Sequence, residues 1–231
     1  MGIQIQGNGG VIADVDGTTF RALRITARPI NYGTLGMYRL GMHSGTMAAA
    51  LAANSEMFQW RWPDATNLGI VYKASISAGA NVAATAAALG SFVMAIARSW
   101  TAAGTGGTRA VVTGNISKLR TSMGTSLMND AGISTTGALT AGTKTIDHAT
   151  TNLGAVSFGI GTGAITTALN LTFLPNTSLF DADGEGMHPI VCVQNEGFVI
   201  RNGTVAFPAG MTWVFAVRSY RKVVGGLKGL G

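Results

Sequence analysis

The feature that most constrains this 231-residue chain is a period-two alternation of apolar and polar residues in short runs. In "FQWRW", Phe58, Trp60 and Trp62 fall on one side, while Gln59 and Arg61 fall on the other. Successive side chains point to opposite faces in a β-strand, so this pattern predicts strands with one buried face. The alternation recurs in "LRITAR" (23–28), "YRLGM" (38–42), "IVYKASI" (70–76, with Ile70, Tyr72, Ala74 and Ile76 inward) and "LNLTF" (169–173).

Turn residues separate these runs and set the fold class. Asn202-Gly203 and Pro208-Ala209-Gly210 supply residues suited to positive or fixed φ, and the chain holds 33 glycines. Many short strands divided by such turns indicate a sandwich or barrel. We therefore predict an all-β fold, an antiparallel, jelly-roll-like β-sandwich with long Gly- and Thr-rich loops or edge strands in 101–164 and short terminal arms.

The chain shows no linker, since only five prolines occur and no charged or serine-rich spacer interrupts the pattern. We predict a single domain over 1–231, with an N-terminal arm at 1–10 and a flexible basic tail at 222–231. The polar, glycine-rich start "MGIQIQGNGG" has no secretory signal pattern, so folding in a cytoplasm is expected.

Three stretches leave alternatives open. The alanine-rich segments 45–57 and 81–90 are candidate helices, although Thr, Asn and Gly interrupt them. The stretch 74–97 carries no charge and is long enough to span a membrane. Its Ala, Ser, Thr and Gly content favours two buried strands joined by a turn or short helix, and we expect no membrane partner.

The charge content is low, at 11% of residues, which leaves little charged surface for a soluble monomer. We expect copies of the chain or a partner to cover part of the exterior, as in a homo-oligomer, with a trimer as one possibility. The net charge is +6, but the cations are scattered singly, so direct nucleic-acid binding is not predicted.

One motif resembles an enzyme signature. "VIADVDGTTF" (11–20) is similar to the nucleophile motif of haloacid dehalogenases, which would make Asp14 the nucleophile and Asp16 the acid. The rest of that catalytic set and its βαβ pattern are missing from the sequence. A strand ending in an Asp-Gly turn is the simpler interpretation, and we predict that the protein is not an enzyme.

Metal and cofactor signals are weak. "DADGE" (181–185) has alternating carboxylates that suit a small calcium loop, but a polar turn is the default interpretation. His43, His148 and His188 lack ligand spacing, and the single Cys192 lies in an apolar run that predicts a buried thiol. We predict no catalytic residue, metal or cofactor.

The candidate interface residues are aromatic or basic. The tryptophans suit either the core or a protein interface. The strand arginines either bridge to a neighbouring carbonyl or carboxylate, or face solvent. The basic C-terminus is a candidate contact to an acidic surface. The full set is Trp60, Arg61, Trp62, Arg201, Arg218, Arg221, Lys222 and Lys228.

Three stretches, found in this order, resemble a tailed-phage virion structural family. They are "FQWRWPDATNLGIVYKASIS" with an RW-x-D-A segment, "TGNISKLRTSMGTSL" with N-x-x-K-L-R-T-S, and "PIVCVQNEGFVIRN" through "TWVFAVRSY". The resemblance covers about residues 55–220. The family's final strand usually runs into an acidic, Trp-containing ending, where this chain has "VRSYRKVVGGLKGLG".

The resemblance implies a capsid decoration or cement protein. Such a protein is made in the bacterial host cytoplasm and binds the major capsid protein on the surface of the virion. The alternatives are a self-assembling jelly-roll coat protein and a fibre or tail-associated receptor-binding domain.

Overall fold

The computed structural model describes residues 37–110, 118, 126–127, 130–147, 152–162, 172–182 and 184–225. The chain divides into Met1–Tyr32 and Gly33–Gly231, and the description concerns the second unit. The predicted arm at 1–10, the run "LRITAR" and most of "LNLTF" lie outside the described residues. The single-domain assignment therefore stays a prediction.

All regular structure in the described residues is β-strand. The strands are β1 (Met37–His43), β2 (Glu56–Trp62), β3 (Asn67–Val82), β4 (Ala88–Ala102), β5 (Gly107–Ala110), β6 (Ala131–Ser134), β7 (Thr143–Ile146), β8 (Gly154–Ile160), β9 (Thr172–Asp181), β10 (Ile190–Cys192), β11 (Glu196–Asn202) and β12 (Thr212–Gly225).

Two antiparallel sheets pack together as a β-sandwich, which confirms the predicted fold class. The small sheet has the order β1-β12-β3-β10, with β9 also pairing with β3. The large sheet has the order β5-β6-β2-β11-β4-β7, with β8 also pairing with β4. As predicted for 101–164, its strands β5, β7 and β8 lie at or near sheet edges. The jelly-roll order of the strands stays a prediction.

The core between the sheets is built on aromatic rings. The alternation in β2 holds, since Phe58, Trp60 and Trp62 are all buried. The ring of Phe198 from β11 lies 5.7 Å from that of Phe58 and 5.6 Å from that of Trp60. Because aromatic side chains bury large apolar areas, these rings carry much of the stability of the sandwich. Cys192 is also buried, as predicted.

The two candidate helices are connections between sheets, and no helix occurs among the residues the structure describes. Residues 44–55 join β1 to β2, residues 83–87 join β3 to β4, and residues 203–211 join β11 to β12. Each connection crosses from one sheet to the other. The need to make this crossing outweighs the helix propensity of the alanines. We call residues 44–55, 82–90 and 203–211 together the alanine-rich end.

A β-bulge changes the alternation in β3. Tyr220 pairs with Lys73, whereas the next residue of β12, Arg221, pairs with Val71, so Tyr72 is an extra residue. The side of the strand that faces the core therefore switches at this point. Val71 is buried and Tyr72 is only half-buried, opposite to the prediction for this pair, while Ala74 and Ile76 are buried as predicted.

The uncharged stretch 74–97 forms most of β3 and β4 with a turn between them, as favoured from its composition. Within the described ranges, no helix has the length and apolar character needed to cross a membrane.

The C-terminal strand runs further than predicted. β12 continues to Gly225, where it pairs with Asn67 of β3, and Lys222 also pairs with Met37 of β1. The first four residues of the predicted flexible tail are therefore held by sheet hydrogen bonds. The remainder, 226–231, lies outside the described residues.

Gly69 provides a test of how tightly the sheets pack. A Cβ atom at this position would lie 2.7 Å from Cδ2 of the buried Trp62 ring, whose indole N–H donates to the carbonyl of Asn67 at 2.8 Å. We expect Gly69→Ala to lower the free energy of unfolding by about 1–3 kcal/mol, because the ring must move. Urea denaturation measures this, and Gly159→Ala, where a Cβ meets no atom within 4 Å, is the control.

Candidate interaction surface on the small sheet

The outer face of the small sheet carries a polar groove. Cross-strand pairing places Arg39 of β1 opposite Tyr220 of β12, and Tyr220 opposite Lys73 of β3. The Arg39 guanidinium lies 5.5 Å from the centre of the Tyr220 ring, in cation–π contact. The groove has a volume of about 600 Å³ and is lined by Tyr72, Lys73, Ser75, Asn176, Asp181, Gly184, Arg218 and Tyr220.

One ion pair in this groove is already formed. Lys73 Nζ donates to Asp181 Oδ2 at 2.5 Å, and Asp181 Oδ1 accepts the backbone N–H of Gly184 at 3.0 Å. Arg218 is exposed and makes no ion pair among the described residues. Among the described groove residues, Arg218 is thus the cation that can contact an external anion.

A second depression continues the groove along the strands. It has a volume of about 490 Å³ and shares Asn176 with the first. Its other lining residues are mostly small or apolar: His43, Ser44, Ser77, Ala78, Gly79, Ala80, Asn81, Pro175, Val214, Phe215 and Ala216. The outer face is therefore polar and basic at one end and small and neutral at the other.

The structure places two predicted interface residues in the core. Trp60 and Trp62 are both fully buried, and their rings lie 6.1 Å apart between the sheets. A side chain with no exposed surface cannot contact a partner of the folded chain, so the interface prediction is wrong for both. They fill the core, which was the other interpretation of the alternation.

The two strand arginines act within the chain. Arg61 Nε donates to Asp130 Oδ2 at 2.5 Å, and its Nη1 donates to the carbonyls of Trp100 and Thr101, both at 3.1 Å. Arg201 is buried and pairs in register with Glu56 of β2. The predicted bridge to a carbonyl or carboxylate is confirmed for Arg61, and the burial of Arg201 removes it from a partner surface.

The basic C-terminal residues divide between the sheet and the undescribed end. Arg218 lies in the groove, and the backbones of Arg221 and Lys222 belong to β12. Lys228 lies outside the described residues. Of the predicted set, Arg218 is the one whose described side chain is exposed.

Most of the candidate metal and catalytic groups lie outside the part of the chain that the structure describes. Asp181 pairs with Lys73, and the neighbouring Asp183 lies outside the described residues, so calcium binding at 181–185 stays a prediction. Asp14, Asp16 and His148 also lie outside them. Within the described part of the chain, no group of three His, Cys, Asp or Glu residues is placed to hold a metal ion.

Residues of the RW-x-D-A segment shape the turn between β2 and β3. Asp64 Oδ1 accepts hydrogen bonds from the backbone N–H of Thr66 at 2.8 Å, and from the backbone and side-chain N–H groups of Asn67 at 2.6 and 3.0 Å. Burial alone would raise the pKa of Asp64, but these hydrogen bonds hold the pKa below its ordinary value. Asp64 therefore fixes a turn.

The N-E-G-F-x-I-R segment is also structural. Glu196 accepts from Arg98 Nη1 at 2.5 Å and from the backbone N–H of Val193 at 3.1 Å. Phe198 and Ile200 lie in the core. The carboxylates of Asp147 and Glu196 raise the pKa of Arg98. The described contacts of both segments thus stabilise the fold.

A buried ion pair on the outer face of the large sheet was not predicted. Lys144 Nζ donates to Glu56 Oε2 at 2.8 Å and also to the carbonyl of Ala141, and it lies 4.7 Å from the centre of the Trp100 ring. Gln59 Nε2 donates to the same Glu56 oxygen at 2.6 Å. Both charged side chains are almost fully buried, at 1% and 7% exposed.

The sequence contained partial signals for the groove. The alternation in "YRLGM" places Arg39 on the outer face, and the pattern in "IVYKASI" does the same for Lys73 and Ser75. Tyr72 was assigned to the wrong face because the bulge depends on pairing with β12. No local pattern pointed to Asn176 or to the pair between Lys144 and Glu56.

No protein-family model matches the sequence, and no significant match to a curated protein was found.

Proposed function

We propose that this chain is a structural protein of a tailed-phage virion that decorates the assembled head. Its partner is the major capsid protein, and its docking surface is the groove on the outer face of the small sheet. The protein is made in the bacterial host cytoplasm and acts on the virion surface by binding alone.

The observation that carries this proposal is the exposed Arg218, which lines the groove together with Tyr72 and Tyr220. Arginine and tyrosine are the residue types enriched where proteins contact one another, because they combine large apolar area with polar groups. Lys73 already neutralises Asp181, so among the described lining residues Arg218 gives the groove a basic character that suits an acidic capsid surface. Arg39 adds a second cation beside the groove, against the Tyr220 ring. The resemblance of the sequence to phage virion proteins supports the same partner.

A stiff sheet face also suits this role. The backbone of β12 pairs with β1 on one side and with β3 on the other, so the groove residues are held by hydrogen bonds on both sides. A preformed surface loses little conformational entropy on docking. Many copies on a symmetric shell then add their weak contacts through avidity.

The test is co-sedimentation with heads of the encoding phage that were assembled without this chain. We expect Arg218→Glu to weaken binding at least tenfold, about 1.4 kcal/mol, because it replaces an attractive charge with a repulsive one. Wild-type binding should also weaken as salt rises.

The matched control is Thr143→Glu, which adds a negative charge to β7 of the large sheet, away from the groove. This variant should bind as the wild type does. Equal binding by Arg218→Glu and wild type would exclude the groove as the docking surface, and absence of wild-type binding would exclude the decoration role.

The same groove favours a receptor-binding domain as the second candidate. Two tyrosine rings beside the amide of Asn176 and the carboxylate of Asp181 are the groups that proteins use to hold sugars. A glycan array distinguishes the two functions. A receptor-binding domain should bind a saccharide and lose that binding in Tyr220→Ala, whereas a decoration protein should bind none.

A further inference from the structure

We infer that the alanine-rich end is a self-association surface, through which the chain binds the same end of a second copy. This contact is separate from the groove and does not rest on the proposed decoration role. It would make the protein an oligomer before any other partner is bound.

The first supporting feature is exposed apolar surface. Val82, Leu89 and Val205 are 51%, 71% and 55% exposed, and each lies in or beside one of the crossing connections. Alanines 48, 50, 52 and 53 are exposed as well. Apolar groups concentrated at one end of a sandwich mark an interaction site more often than isolated exposed residues do.

The second feature is the absence of charge in the sequence of this end. Residues 44–55, 82–90 and 203–211 contain no Asp, Glu, Lys or Arg, although the chain as a whole has a net charge of +6. A two-fold contact places the same residues opposite one another, so any charge near its centre would face a like charge. Like-charge contacts are strongly unfavourable, and a neutral surface avoids them. Charge thus favours a second copy as the occupant.

The third feature is that the end is preformed. Residues 203–211 hydrogen bond to both other connections: Phe207 N–H donates to the carbonyl of Leu51 at 2.9 Å, and Thr85 N–H donates to the carbonyl of Ala209 at 3.2 Å. The side-chain amide of Asn202 donates to the carbonyl of Ala52 at 2.7 Å. Association therefore does not need to order these loops.

A strained residue lies at the same end. Ala50 has a φ of 56°, in the left-handed region that favours glycine, and its N–H donates to the carbonyl of Pro208 at 3.2 Å. Backbone strain of this kind is concentrated at functional sites. Alanine is also a favourable contact residue, because burying it loses no side-chain conformational entropy.

The experiment is sedimentation velocity of the purified full-length chain over a range of concentrations, without capsids. We expect a reversible oligomer in the wild type. Leu89→Glu and Val205→Glu should each raise the dissociation constant at least tenfold, because each would place carboxylates in a neutral contact.

The matched control is Val193→Glu, since Val193 is 50% exposed but follows β10, away from the crossing connections. This variant should associate as the wild type does. A wild-type chain that stays monomeric, or an oligomer that Val193→Glu breaks and Leu89→Glu and Val205→Glu do not, would overturn the inference.

A mixing experiment tests whether the two ends are identical. Val205→Glu and Val205→Lys should each be impaired alone, and an equimolar mixture should recover association because opposite charges then meet. Recovery supports contact between the same ends of two copies. No recovery, with association lost in both separate variants, shows that the end meets a different surface and overturns the inference.

Discussion

Replacing Phe207 with alanine should lower the free energy of unfolding by about 3–5 kcal/mol, the typical loss for a buried phenylalanine. The Phe207 ring stacks on that of Trp213 at 4.6 Å and lies 5.7 Å from the ring of Phe92. It is the aromatic residue of the connection 203–211, and it is buried in the core together with Met211. The truncation therefore leaves a cavity where a strand of each sheet meets this connection. Urea denaturation followed by tryptophan fluorescence measures the loss.

Val193→Ala is the control for Phe207→Ala, since it removes apolar atoms from an exposed site and should change stability by no more than about 0.5 kcal/mol. Phe207→Leu should fall between the two variants, because it refills part of the cavity. A loss below about 1 kcal/mol for Phe207→Ala would mean that this ring does not anchor the connection to the core.

The Lys144→Met variant should lose about 3–5 kcal/mol, because it leaves the carboxylate of Glu56 buried without its ammonium partner. Methionine keeps much of the length and volume of the lysine stem, so the change tests charge more than packing. Glu56→Gln should also destabilise the protein. The double variant should lose less than the sum of the two single changes, since neither unpaired charge remains.

Lys73→Met provides the matched comparison. Lys73 and Asp181 form an ion pair of similar length, at 2.5 Å, but the lysine side chain is 38% exposed. Exposed pairs contribute little because water screens them, so this substitution should cost no more than about 1 kcal/mol. Equal losses for Lys144→Met and Lys73→Met would contradict the importance of burial for the first pair.

Local pattern predicted the parts of this fold that depend on local geometry. The rings of Phe58, Trp60 and Trp62 alternate with polar residues because a strand has a period of two, and β2 follows that rule. The same rule misplaced Tyr72, because a bulge is a property of the pairing between β3 and β12. Nothing in the sequence of one strand specifies which residue of its partner is skipped.

Tertiary structure also overrode composition. Alanine has the highest helix propensity, yet residues 45–55 and 83–87 cross between sheets, because β1 and β3 must each connect to a strand of the opposite layer. For the candidate site, Arg218 was identified from its basic segment, whereas Trp60 and Trp62 were assigned to both core and interface. The Lys144–Glu56 pair joins residues 88 positions apart, a separation at which sequence carries no visible signal.

The three crossings have a consequence for how the chain folds. They join residues that are distant in sequence, such as Asn202 and Ala52, which are 150 positions apart. Closing loops of this length costs conformational entropy before the stabilising contacts form. Formation of the native state should therefore take milliseconds to seconds. During synthesis, β3 can pair fully with the long strand β12 only after residue 225 has left the ribosome. Until then the open edge of β3 is a site for misassembly, which makes early chaperone capture advantageous for this protein.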